Sequence, residues 1–143
     1  MNQIKPYPLW IGHSGDGRDF RPVLDAGIQA LVELSREELP ADPPRDLIYC
    51  RFPLLDGLGN DEGLLDLTIN TLAGLVRARI ATLVCCDYGL SRSPAIAAAA
   101  LALVYHESPE DCLQRIAQHH RSDVSPGLWN EITHLLRQGR PAH

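Results

Sequence analysis

Between Leu83 and Val104 the chain reads LVCCDYGLSRSPAIAAAALALV, an apolar run, a short polar loop and an alanine-rich segment. Cys86 closes the apolar run, Gly89 follows three residues on and Arg92 six residues on. Glycine with the small Ser91 and Ser93 lets the backbone curl tightly. Pro94 then opens a helix at a position where its missing N–H costs nothing. The N–H groups of the loop, Asp87 to Arg92, should therefore converge at the positive end of a helix, which makes a cradle for an anion. A dianionic phosphate fits that description, and the Arg92 guanidinium could clamp two of its oxygens. Cys86 would sit at the base of the cradle. The same donors and the Arg92 charge favour a thiolate, so Cys86 is expected to act as a nucleophile on phosphorus at neutral pH. A bare C-x5-R pattern is weak, but of the four cysteines only Cys86 has an arginine at that offset.

In this strand–loop–helix context, CDYGLSRS resembles the C-x-x-G-x-x-R-S/T signature of the cysteine-dependent protein tyrosine phosphatases. GLSRSPAIAAAALAL is most similar to their small dual-specificity branch. LWIG, GIQALVEL, FPLLDG and SPGLWNEI fall where that family has comparable segments, so the resemblance spans roughly Leu9 to Leu136. It implies a nucleophile at Cys86, phosphate binding by Arg92 and the loop Asp87–Arg92, and a Ser93 hydroxyl that eases departure of the thiolate. It also implies a general acid some thirty residues upstream. Asp56, in FPLLDG, lies 30 residues before Cys86, at the carboxyl end of what is expected to be the neighbouring strand; Asp61, on the same loop, is the rival, and reach to the leaving oxygen must decide between them. The family usually has histidine where this chain has Cys85. Asp87 puts a negative charge inside the loop, which opposes highly anionic ligands such as polyphosphoinositides. Tyr88 and Leu90 are expected to line the pocket.

The flanking elements are those that could hold such a loop. Short strands are predicted at Leu9–Gly12, Ile28–Leu34, Leu47–Leu54 and Ile80–Cys86, the last a continuous apolar run suited to a central strand. A short helix with Phe20, Val23 and Leu24 on one face stops at Gly27. The segment from Leu64 to about Arg79 carries Leu65, Ile69, Leu72 and Val76 at helical spacing. The helix from Pro94 is apolar nearly all round and should be buried. Ser108-Pro109 opens a helix with Leu113, Ile116 and Ala117 inward; Ser125-Pro126 opens another with Leu128, Ile132, Leu135 and Leu136 inward. Strands alternating with helices predict an α/β fold: a mainly parallel sheet of four to five strands, with helices on both faces and ligands bound at the carboxyl ends of the strands.

The 143 residues suit one domain, 1–143, and 45% hydrophobic with 22% charged residues is ordinary for a globular protein. A formal net charge of −5 argues against a nucleic-acid binder, and no apolar run is long enough to span a bilayer. The first ten residues lack an apolar stretch of the secretory kind, so a cytoplasmic monomer is expected. Cys50, Cys85, Cys86 and Cys112 make no disulfide pattern. Cys50 and Cys85 read as core thiols, with Cys50 as the candidate resolving partner of an oxidised Cys86. Gly12, Gly15 and Gly17 lack nucleotide-loop spacing and read as a turn. His119 and His120, with His106 and His134, invite a metal reading, but adjacent histidines on a helix point in different directions, so they read as a solvated helix end; Trp129 reads as a packing residue. No metal or cofactor is expected. The substrate is expected to be a phosphorylated protein or a small phosphomonoester. The alternatives are a phosphoprotein-binding module without turnover, and a thiol-based sulfur or arsenate enzyme.

Overall fold

The computed structural model describes residues 1–138. Its elements are β1 (Asn2–Gln3), β2 (Leu9–His13), α1 (Phe20–Asp25), β3 (Ala30–Ser35), β4 (Ile48–Leu54), α2 (Glu62–Arg77), β5 (Thr82–Cys86), α3 (Arg92–Tyr105), α4 (Pro109–Ala117) and α5 (Pro126–Arg137). They form one five-stranded sheet in the order β1-β2-β5-β3-β4, parallel except for β1. Both β3 and β5 are buried along their whole length, which is why they read as continuous apolar runs.

Successive side chains of a strand point to opposite faces. On β5, Val84 and Cys86 join the larger core, which is shared with α2, α3, α4 and α5. Leu83 and Cys85 join the smaller core, with Val23 of α1, Ile28, Leu31 and Leu47. Helix α3 is buried from Arg92 through Ala102. Its alanines let α2, α4, α5 and the sheet pack closely against the helix that carries the loop's positive terminus. None of the described helices is long and apolar enough to cross a membrane.

The structure differs from the sequence reading in several places. Helix α3 begins at Arg92, two residues before Pro94, which therefore sits within the first turn, where its lack of N–H is still harmless. Strand β1 is too short to show a pattern. Leu24 is 49% exposed, because a six-residue α1 buries only Val23. On α4, Cys112 and Ile116 face the core and Ala117 does not. Strand β4 is not the neighbour of β5: β3 lies between them, so Asp56 reaches the site from the sheet edge.

The long loop between β3 and β4 is tied to the sheet by polar side chains. Arg51 Nη2 donates to the carbonyls of Ser35, Arg36 and Glu38 at 3.4, 3.4 and 3.0 Å. Tyr49 Oη accepts from Ala41 N at 3.0 Å and donates to the buried Glu33. This clamp holds the residues on either side of Glu37, Arg36 and Glu38, through their carbonyls.

On the other face, a Cβ added at Gly17 would fall 2.7 Å from Cys85 Sγ and 3.4 Å from Leu31 Cδ1. Gly17→Ala should therefore destabilise the fold by about 1–3 kcal/mol. The double variant Gly17→Ala/Cys85→Ala should recover part of that loss, read as the urea midpoint of each protein. Strictly additive effects would show that the contact with Cys85 is not the cause.

Candidate active site

The loop from Cys86 to Arg92 turns at Gly89, whose φ is +74°. A Cβ there would also lie 2.8 Å from Gly12 O, so both the conformation and the space require glycine. The loop's carbonyls are tied outward. Asp87 O accepts from Ser14 Oγ at 3.2 Å and from Ser14 N at 3.4 Å. Leu90 O accepts from Asp123 N at 2.7 Å. Gly89 O lies 2.6 Å from His120 Nε2, while His120 Nδ1 lies 2.9 Å from the Asn2 amide nitrogen. An amide nitrogen only donates, so Nδ1 accepts and the proton sits on Nε2, facing Gly89 O.

A peptide's C=O and N–H point in opposite directions. Carbonyls pulled outward therefore turn the loop's N–H groups inward. Among the described residues, the amides of Tyr88, Gly89, Leu90 and Ser91 meet no acceptor. The start of α3 adds to this. Ser91 is the N-cap residue, yet its side chain does not cap the helix. Ser91 Oγ instead donates to Asp56 Oδ1 at 2.6 Å and accepts from Ser125 N at 2.9 Å. The N-terminal amides of a 14-residue helix are thus left open toward an anion.

Arg92 is 3% exposed. Its Nη1 donates to Glu37 Oε1 at 2.5 Å and to Leu54 O at 2.9 Å. Its Nε is buried with no partner among the described residues. One edge of the guanidinium is therefore held by the protein, and the Nε–Nη2 edge remains as a two-pronged donor for a tetrahedral oxyanion. Burial pulls the Arg92 pKa down, but the bond and charge of Glu37, then the charges of Cys86 and Asp56, raise it above its ordinary value. Burial likewise pushes Glu37 up, and the Arg92 bond and charge bring it below the usual carboxylate range. The two groups keep each other charged.

Asp56, Cys86, Tyr88, Leu90, Ser91, Arg92 and Asp123 line one cavity of about 170 Å³. Cys86 lies at its floor, 2% exposed. A larger hollow of about 240 Å³, walled by Leu103, Glu107, Glu110 and Arg137 among others, has neither a nucleophile nor an open helix N-terminus.

The described fold matches solved structures closely. Human DUSP28 superposes with a TM-score of 0.84 at 24% identity, over 96% of this chain and 96% of its own. The fold is that of the dual-specificity phosphatases. A mouse putative dual specificity phosphatase, complexed with zinc tungstate, gives the same TM-score and identity over 96% of this chain and 86% of its own. The human tyrosine phosphatase-like serine/threonine/tyrosine-interacting protein gives 0.82 at 16% identity, over 96% of both chains. At these identities the likeness is one of fold. No protein-family profile matches the chain, and no curated protein matches it in sequence.

Against that fold, the residues singled out from sequence divide cleanly. Cys86, Arg92, Asp56, Ser91, Tyr88 and Leu90 share the cavity. Gly89 shapes the loop, and Asp87 contributes its carbonyl to the anchoring. Ser93 is fully buried, its hydroxyl without a partner among the described residues. Asp61 is placed elsewhere: it is the N-cap of α2 and accepts from Leu64 N at 2.9 Å, so its carboxylate serves a helix.

Cys85 faces away from the cavity. Burial, and then the charge of Glu33, raise its pKa well above the ordinary thiol value, which keeps it protonated. Cys50 aligns with Val32, and Val32 with Val84. That leaves Cys50 two strand spacings across and two residues below Cys86, roughly 12 Å away between Cα atoms. A disulfide needs about 7 Å or less, so the static fold does not support Cys50 as a resolving thiol. Sequence reasoning missed Glu37, Asp123, Ser14 and Ser125, and took His120 for a solvated helix end. All of them act through the fold across long stretches of chain, so their sequence neighbours give no sign of these contacts.

Proposed function

We propose that the chain is a phosphomonoester hydrolase of the cysteine-dependent kind, acting on phosphorylated protein side chains. The observation that carries this reading is the single cavity in which a buried thiol, an arginine edge without a partner, unmet backbone amides and a hydrogen-bonded carboxyl group all meet. The loop amides and the Nε–Nη2 edge of Arg92 bind the phosphoryl oxygens and hold the phosphorus above Cys86 Sγ. The Cys86 thiolate forms a bond to phosphorus as the bond to the leaving oxygen breaks, and the Asp56 carboxyl gives that oxygen its proton. Water then attacks the cysteinyl-phosphate. The Asp56 carboxylate takes the water's proton, the S–P bond breaks, and the pair of electrons returns to sulfur as inorganic phosphate leaves. The unpartnered Ser93 hydroxyl supports the departing thiolate. Glu37 acts by positioning Arg92.

Such a cavity can turn phosphoesters over or bind them without turnover. Of the structural neighbours, one is named a putative dual specificity phosphatase and is complexed with zinc tungstate, and another is named tyrosine phosphatase-like. Phosphate release from an aryl phosphate in the presence of a chelator separates the two outcomes. The wild-type protein should turn over without added metal, and rapid quenching should trap phosphate on Cys86. A protein that binds vanadate but releases no phosphate would be a phosphoprotein receptor instead.

A further inference from the structure

Asp123 is a carboxylate on the cavity wall that the proposed reaction does not use. Its main-chain N–H donates to Leu90 O at 2.7 Å, so the residue is fastened to the phosphate loop itself. The residue lines the same cavity as Cys86 and Arg92 and is exposed, and among the described residues its side chain has no hydrogen-bond or ion-pair partner. The exposed Asp56 lines that cavity too.

The nearby cations do not neutralise this rim. Arg92 is paired with Glu37, and Arg51, held by loop carbonyls, makes no ion pair with Asp56 or Asp123. Arg18 faces Glu33, and Arg121, two residues before Asp123, makes no ion pair with either carboxylate. The position of the phosphate itself is fixed independently by the buried, unpartnered Nε of Arg92 and the open loop amides. A bound phosphopeptide must therefore run its flanking residues past an unpaired negative charge held at the lip of the cradle.

We propose that Asp123 selects phosphorylated peptides with a basic residue beside the phosphorylated one, and disfavours those with acidic flanks. This rests on the phosphate-site reading above but not on turnover. A flanking guanidinium or ammonium gains the carboxylate's attraction at the rim, and a flanking carboxylate meets its repulsion. Each effect at an exposed site is a few-fold, so opposite charges should separate by about three- to tenfold in affinity.

The test is fluorescence polarisation with Cys86→Ser protein, which binds without consuming the probe. The probes are phosphotyrosyl and phosphothreonyl peptides with Arg, Ala or Asp on both sides of the phosphoresidue. Binding should rank Arg over Ala over Asp in low salt, and the spread should shrink as salt is added. Adding Asp123→Asn should cut the Arg-to-Asp ratio by about twofold or more, Asp56 supplying what remains, while inorganic vanadate still displaces every probe. Equal binding of the three flanks, a reversed order, or a ratio unchanged in Asp123→Asn would overturn the proposal and leave the phosphate site standing. Failure of all phosphopeptides to bind, or of vanadate to displace them, would overturn both readings.

Discussion

Cys86→Ser should lower phosphate release from an aryl phosphate at least about a thousandfold while leaving oxyanion binding in place. The two halves of that expectation come from different atoms. Attack on phosphorus needs the sulfur, and a serine hydroxyl in its place is not ionised at neutral pH. Binding needs the amides of Tyr88 to Ser91, the open N-terminus of α3 and the Nε edge of Arg92, none of which changes. The serine protein should still be stabilised against thermal unfolding by phosphate or vanadate, by about 3 kcal/mol at one hundred times the dissociation constant. Activity that survives the substitution within tenfold would show that the chemistry does not pass through Cys86. Activity and stabilisation lost together would show instead that the thiol holds the loop in shape.

Cys86 and Arg92 were legible as a pair in the sequence because they are six residues apart on one loop. The flanking apolar run and alanine segment dictate a strand and a buried helix on either side. Asp56 was narrower: spacing put it and Asp61 on the same loop, and only the structure shows that Asp61 accepts from Leu64 N as a helix cap while Asp56 accepts from Ser91. Strand order was the main gap. Parallel strands are joined by crossovers, so chain order does not reveal that β3 separates β4 from β5, and that separation is what removes Cys50 from the reach of Cys86. Cys85 was more readable than it first appears. Alternation along β5 sends it to the face opposite Cys86, where it packs against Gly17. Glu37 could not have been chosen over Glu38 by inspection, since what selects it is the course of a loop fastened by Arg51 and Tyr49.

Asp56→Asn should cost about a hundredfold or more on a phosphate ester with a poor leaving group, such as a simple alkyl phosphate, and far less on one whose phenol is acidic. The reason lies in which oxygen needs a proton. An alkoxide must be protonated as it leaves, whereas a nitrophenolate departs without help. The geometry suits Asp56 to the task. Its Oδ1 accepts from Ser91 Oγ at 2.6 Å, which in turn accepts from Ser125 N at 2.9 Å. That chain fixes the carboxyl group at the cavity mouth and leaves Oδ2 to carry the proton. Asparagine keeps the size and one acceptor oxygen but has no acidic proton, so the defect should grow with the basicity of the leaving group. Ser91→Ala, which loosens the carboxyl group without removing it, should show a smaller defect of the same kind. Measuring kcat/KM for a series of phosphate esters against leaving-group basicity decides the matter. A steeper dependence in Asp56→Asn than in wild type marks a proton donor. Parallel lines, with equal loss on every ester, would make Asp56 a residue that shapes the site and would send the search for the acid elsewhere on the rim, beginning with Asp123.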